Sequence, residues 1–181
     1  MRSSFLFLIA AFLLASCSSS IPYTNDYPLT QQRVVFRDGL IAGLIPQGWF
    51  ASDDDSLASL VEAWLVTEDL SATLGVRELK LDRLSSERVK GEGMQLLASL
   101  TIAMNDDLTL KNSEVHDFEI QGRRYAAYES TSKEGKQQRV VVFSAKGKYY
   151  ECRVLTSPIA TADQLSRLFN AQQTFVSTLR Y

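Results

Sequence analysis

His116, Cys17 and Cys152 are the side chains in this chain best suited to nucleophilic or soft-metal chemistry, and their scarcity narrows what it can do. A Ser-His-Asp or Cys-His site needs a histidine to take the nucleophile's proton. Any such site must use His116, and no Gly-x-Ser-x-Gly elbow accompanies it. His116 alternates with Phe118 and Ile120 against Asp117, Glu119 and Gln121, which predicts a strand carrying a half-buried, structural histidine. Cys152 lies in the strand-like run Tyr150 to Val154, with no context that would lower its pKa, so an inert core thiol is expected.

The carboxylates are numerous but unfocused. Asp53-Asp54-Asp55 lacks the alternating spacing and the glycine by which a calcium loop wraps its ion, so a solvated loop is expected. With 21 acidic residues a glycosidase pair, for instance one acting on peptidoglycan, stays open, although no two carboxylates stand out. Lysines 133, 136, 146 and 148 fall at two predicted hairpin tips, where they either meet anionic headgroups or an acidic partner, or keep the turns soluble. Trp49, Trp64, Tyr125, Tyr128, Tyr149 and Tyr150 are expected mainly in the core. Tyr149 and Tyr150 must point to opposite faces of their strand, which leaves room for one of them beside Arg123 or Arg124 as a partner-contact patch.

These residues sit in a chain of 181, 22% charged and 45% hydrophobic, the composition of one globular domain. The net charge of -2 gives no electrostatic reason to expect nucleic acid as a partner. The N-terminus has its own pattern. Arg2 is followed by the apolar stretch Phe5 to Leu14, too short for a membrane-spanning helix, and then by the small residues Ala15 and Ser16. This reads as an export signal. Leu14-Ala15-Ser16-Cys17 resembles the lipobox of bacterial lipoproteins, which implies cleavage after residue 16 and acylation of Cys17 by diacylglyceryl and a further acyl chain such as palmitate. Two or more chains hold a protein stably on a bilayer, whereas one binds only marginally, at about 10⁴ M⁻¹. A plain secretory leader, or a disulfide from Cys17 to Cys152, is the alternative. With Cys17 acylated, two ligands of Cys or His type remain, so no metal site is expected, and no cofactor is implied.

Residues 17–32 are polar and broken by Pro22 and Pro28, which predicts a flexible linker. Ser18 after the cysteine matches the enterobacterial pattern for the outer membrane, facing the periplasm. A single domain is expected over 33–181. Arg33 to Arg37 and Leu40 to Ile45 flank Asp38-Gly39 as a hairpin, and Val61 to Val66 and Ala72 to Leu81 read as strands. Val89, Gly93, Leu96, Leu97, Leu100 and Met104 recur at helical spacing, predicting one helix from Ser85 or Ser86. After the strand around His116, a turn at Gln121-Gly122 leads into three strands, Tyr125 to Ser132, Gln137 to Ser144 and Tyr149 to Thr156, joined by short glycine-containing loops. Pro158 closes this meander. Thr161 and Gln164 form a capping box for a last helix with Leu165, Leu168, Phe169, Phe175, Val176 and Leu179 on one face and Asn170 and Gln173 elsewhere.

Ile45-Pro46-Gln47-Gly48-Trp49 resembles the apolar-x-Pro-x-Gly-Trp start of DcrB-like lipoproteins and PsbP-like proteins, and the later turn, meander and helix extend the similarity over residues 33–181. The resemblance implies an α+β fold, an α/β/α sandwich with a mainly antiparallel central sheet flanked by helices. It also implies a non-enzymatic accessory or assembly role through contact with an unidentified envelope protein. A module for a small apolar ligand or lipid and a cell-wall glycoside hydrolase are the rival readings.

Overall fold

The computed structural model describes residues 24–52, 60–105, 108–109, 114–132 and 134–181; Cys17, Asp53-Asp54-Asp55 and Lys133 lie outside them. In chain order, β1 (Leu29–Val35) and β2 (Ala42–Pro46) form a hairpin of their own. Next come β3 (Trp49–Ala51), β4 (Ala63–Thr67) and β5 (Ala72–Leu79), then α1 (Arg83–Glu92) and α2 (Met94–Ala103). The chain continues with β6 (Leu108–Thr109), β7 (His116–Ile120), β8 (Arg123–Ser132), β9 (Gln137–Ala145) and β10 (Lys148–Thr156), and α3 (Ala162–Ser177) closes it.

The period-2 pattern of the last three strands produces the expected antiparallel meander, in the register Tyr125↔Phe143↔Tyr150 and Ala127↔Val141↔Cys152. It forms the centre of a sheet ordered β3-β4-β5-β10-β9-β8-β6, with β7 paired to the other part of β8. Alternation sorts the side chains into two cores. Leu74, Val76, Val141, Phe143, Tyr150, Cys152 and Val154 face Phe169, Phe175 and Val176 of α3, with Phe36, Ile41 and Ile45 of the hairpin region joining them. On the other face Leu79, Ala126, Tyr128, Val140, Val142 and Tyr149 meet Val89 of α1 and Leu97 and Ala98 of α2. This is the expected α/β/α sandwich.

Several elements depart from the sequence reading. β1 begins at Leu29 and Tyr27 is already fastened, its N–H donating to Thr174 Oγ1 at 3.1 Å, so the structured part starts inside the predicted linker 17–32. A polar strand at the edge of a hairpin leaves little apolar signal. The single predicted helix is two, because Gly93 at φ 91° and ψ -168° breaks the turn between α1 and α2. The first starts earlier than expected, at an Asp82 cap that accepts from the Ser85 N–H at 2.8 Å. The Thr161–Gln164 capping box is present in both directions, at 3.3 and 2.8 Å. Ile45-Pro46-Gln47-Gly48-Trp49 carries the chain from the hairpin into the main sheet, pinned by the Gln47 N–H on the Pro28 carbonyl at 2.8 Å.

Candidate functional site

The sequence candidates do not converge. His116 is exposed at the start of β7, since the apolar cover that buries Ile120 and half-buries Phe118 stops short of it; this corrects the half-buried expectation. Cys152 is fully buried, its carbonyl accepting from Gln172 Nε2 at 2.7 Å, and burial pushes its thiol up to about 12. The patch of Tyr149 or Tyr150 beside Arg123 or Arg124 is also corrected. The two tyrosines do point to opposite faces, but both faces are covered there. Tyr150 stacks on Phe143 at 5.4 Å beneath the hairpin, and Tyr149 donates to the Ser86 carbonyl of α1 at 3.2 Å. Arg123 is engaged by the Leu179 carbonyl at 2.8 Å and lies 4.1 Å over the Tyr181 ring; Arg124 is exposed. The lysine tips divide too, with Lys136 on Glu134 at 2.6 Å and Lys148 on Glu78 at 2.8 Å.

Beneath α3 lies a polar cluster that the sequence reading missed. Arg139 on β9 is almost fully buried, donating to Gln172 Oε1 at 3.0 Å and Gln173 Oε1 at 2.8 Å. Gln172 and Gln173 are therefore inward-facing, against the expectation for Gln173, because a buried guanidinium needs acceptors wherever α3 covers it. Both glutamines are buried and Gln172 Nε2 also donates to the Arg139 and Cys152 carbonyls, so the cluster positions α3 rather than opening to solvent.

Two surface concavities remain. The first lies on the sheet face shared with α1 and α2, which pack over β8, β9 and the Leu79 end of β5 and leave β4, the rest of β5 and the end of β10 uncovered among the described residues. Residues that alternate out of the α3 core line it: Trp64, Thr73, Gly75, Arg77, Glu151, Arg153 and Leu155, with Leu60 and Val61 at its margin. Register brings Glu151 opposite Arg77 and places Gly75 beside both Arg153 and Trp64. The groove encloses about 240 Å³ and is mostly apolar. Gly75 is its floor, since a Cβ there would meet only Val61 Cγ1 at 3.8 Å.

One charge in this groove is incompletely matched. Glu151 is 2% exposed, and its Oε1 accepts from Arg77 Nε at 2.7 Å and Arg153 at 3.1 Å. Its Oε2 is buried with no hydrogen-bond partner among the described residues. With the Asn105 amide turned to suit its neighbours, its oxygen takes Arg153 at 2.9 and 3.2 Å. A buried carboxylate oxygen without a donor costs about 1–3 kcal/mol or more, so a group that supplies one gains by seating here.

The second concavity, about 500 Å³, opens between the β4–β5 turn, the loop from β10 to α3 and the first turns of α3. Tyr27, Trp49, Glu68, Asp69, Ser71, Ile159, Gln164 and Arg167 are among its lining. Glu68 and Asp69 are two carboxylates in an open cleft, the feature a glycosidase would need. Asp69, however, takes both the N–H and the hydroxyl of Ser71, at 3.0 and 2.7 Å, and these donors hold it below the usual carboxylate range. That is the reverse of the raised pKa a general acid requires. Among the described residues no group of His, Cys, Asp and Glu is arranged to hold a metal, and no helix is long and apolar enough to cross a membrane.

No family model matches the chain, and no curated protein matches it. Solved structures do. The solution structure of cyanobacterial PsbP (CyanoP) from Synechocystis sp. PCC 6803 is similar at 18% identity with a TM-score of 0.51, over 93% of this chain and 98% of that one. A structure from Bacteroides thetaiotaomicron overlaps at 10% identity and a TM-score of 0.40, covering 85% of this chain and 48% of that one. The expected architecture, a mainly antiparallel central sheet flanked by helices in the PsbP-like α+β fold, is the one this chain adopts.

Proposed function

We propose that this protein is a lipid-anchored lipoprotein of the bacterial envelope, held through Cys17 on the outer membrane and facing the periplasm. It acts without catalysis, as an accessory or assembly factor that contacts another envelope protein. The observation that carries this reading is the groove over β4, β5 and β10, which no described residue covers and whose Glu151 oxygen has no partner among them. At about 240 Å³ it is smaller than a typical small-molecule site, and it suits an anchor side chain of a partner. Arg77 and Arg153 already supply two positive charges, so the donor that completes Glu151 is neutral: a partner's amide, indole or hydroxyl, flanked by aliphatic residues that pack on Trp64 and Leu155.

The test is photo-crosslinking of the full chain in cells, from position 60 at the groove margin and from position 84 on α1. A discrete adduct is expected from 60 and not from 84. Gly75→Val, which fills the groove floor from a backbone position outside the left-handed region, should reduce it several-fold. An adduct indifferent to Gly75→Val, or equal from both positions, overturns the contact. Cys17→Ala should move the chain out of the membrane fraction, and its retention there overturns the anchor.

A further inference from the structure

We infer that the cleft beside Tyr27 faces the bilayer and receives a zwitterionic phospholipid headgroup, with Leu70 and Ile159 entering the interface on either side of it. The inference rests on the proposed anchor at Cys17 and says which end of the molecule that anchor presents.

The reach of the tether sets the orientation. Seven residue steps separate Cys17 from Thr24, and at about 3.3–3.6 Å per residue they span at most about 25 Å. A domain of about 150 residues has a radius of gyration of about 15 Å, hence a diameter of roughly 40 Å. The tether is shorter than the body it holds. Whichever surface lies where the tether joins the fold is therefore the surface nearest the membrane.

That junction is defined by hydrogen bonds. Asp26 accepts from Thr24 Oγ1 at 2.6 Å and from Asn170 Nδ2 at 3.0 Å, and the Tyr27 hydroxyl reaches the Gln47 carbonyl at 3.4 Å. Tyr27 is itself a wall of the 500 Å³ cleft, so tether and cleft share one end of the molecule. The same end carries two of the most exposed large apolar side chains, Leu70 at 73% in the β4–β5 turn and Ile159 at 88% in the loop before α3. Leu70 lies between two cleft residues, Asp69 and Ser71, and Ile159 lines the cleft directly. Apolar tips on two loops that flank a cleft, beside a membrane tether, suit the boundary between headgroups and acyl chains.

The headgroup follows from charge. Arg167 and Glu68 both line the cleft, and neither side chain has a hydrogen bond or ion pair among the described residues. A guanidinium takes a phosphate and a carboxylate takes an ammonium. Phosphatidylethanolamine presents both groups on one molecule. A purely anionic lipid would set its charge against Glu68, Asp69 and Asp26, which lie at this end.

The experiment uses the full lipidated chain in phosphatidylethanolamine vesicles with brominated acyl chains. Ile159→Trp and Leu70→Trp report this end. Leu84→Trp reports α1, on the opposite sheet face and toward the other end of β10, where Tyr149 meets Ser86. All three sites are exposed, so each variant should fold. With the emission of Trp49 and Trp64 subtracted, quenching at 159 and 70 should exceed that at 84 at least twofold. The double variant Arg167→Gln, Glu68→Gln should lower quenching at 159 several-fold without releasing the chain. Equal quenching at all three sites, or none at any, in chains that sediment with the vesicles overturns the orientation. Indifference to the double variant overturns the headgroup. Failure of the lipidated chain to sediment more than Cys17→Ala is a separate result, and it overturns the anchor.

Discussion

Cys152 shows how a single side chain ties strand periodicity to pH. Burial is the main reason its thiol is pushed up to about 12 from an ordinary 9.0; the Gln172 hydrogen bond and the nearby Arg139 charge pull weakly the other way. Between those values the unfolded chain loses a proton that the folded chain keeps, so the stability is fully present below about pH 9 and drains away as pH climbs toward 12. From pH 8 to pH 10 the loss is about 1 kcal/mol. Unfolding free energies from urea titrations should fall by that much more between the two pH values in the wild type than in Cys152→Ala. Equal falls would mean that the thiol ionises without unfolding. The window ends at pH 10 because the Tyr150 phenol, also raised to about 12, begins to contribute above it. The inward thiol was legible because alternation alone sets the face of a strand residue. The exposure of His116 and the burial of Arg139 with Gln172 and Gln173 were not, because they depend on how far α3 extends over the sheet, a relation between segments some 30 residues or more apart.

At the scale of elements, the contact between the β1–β2 hairpin and α3 depends on a missing side chain. A Cβ on Gly43 would lie 2.7 Å from Phe175 Cε2 and 3.0 Å from Leu179 Cδ2, so the hairpin can approach the helix this closely only with glycine there. Gly43→Ala should therefore cost about 1–3 kcal/mol through overpacking. Gly75→Ala makes the same chemical change on a strand where the nearest atom is 3.8 Å away, and it should be neutral or slightly stabilising. Thermal melts of the pair check this, and equal effects would refute the packing account. Long periodic elements such as β8 to β10 and α3 were readable in advance. The α1–α2 break was not, since Gly93 occupies a position on the apolar helical face and reveals its role only through its φ of 91°. Three residues of β3 are too few to show any period.

The whole molecule is a sheet clamped unequally from its two sides. On one side α3 buries seven of its residues, Phe169, Phe175 and Val176 among them, and the hairpin adds Phe36, Ile41 and Ile45. On the other, α1 buries only Val89 and α2 only Leu97, Ala98 and Thr101, and among the described residues no helix lies over the groove half of the sheet. The order of elements was enough to suggest an antiparallel sheet with helices on its faces, and the family resemblance implied the sandwich, but which half of a face a helix pair covers is a matter of long-range packing. Apolar burial sets how much free energy each layer adds, so the thin layer should open before the thick one. Hydrogen exchange under native conditions should find the amides of α1 and α2 several-fold less protected than those of β9, β10 and α3. Phe169→Asp, which puts a charge into the thick layer, should abolish the cooperative melt altogether. Uniform protection across both layers would mean that the sandwich opens as one unit, and a surviving melt in Phe169→Asp would mean that α3 does not hold the sheet. In the expected case the face with the groove is also the face that yields most easily, so a partner that seats on Trp64 and Leu155 would add cover where the described residues provide least.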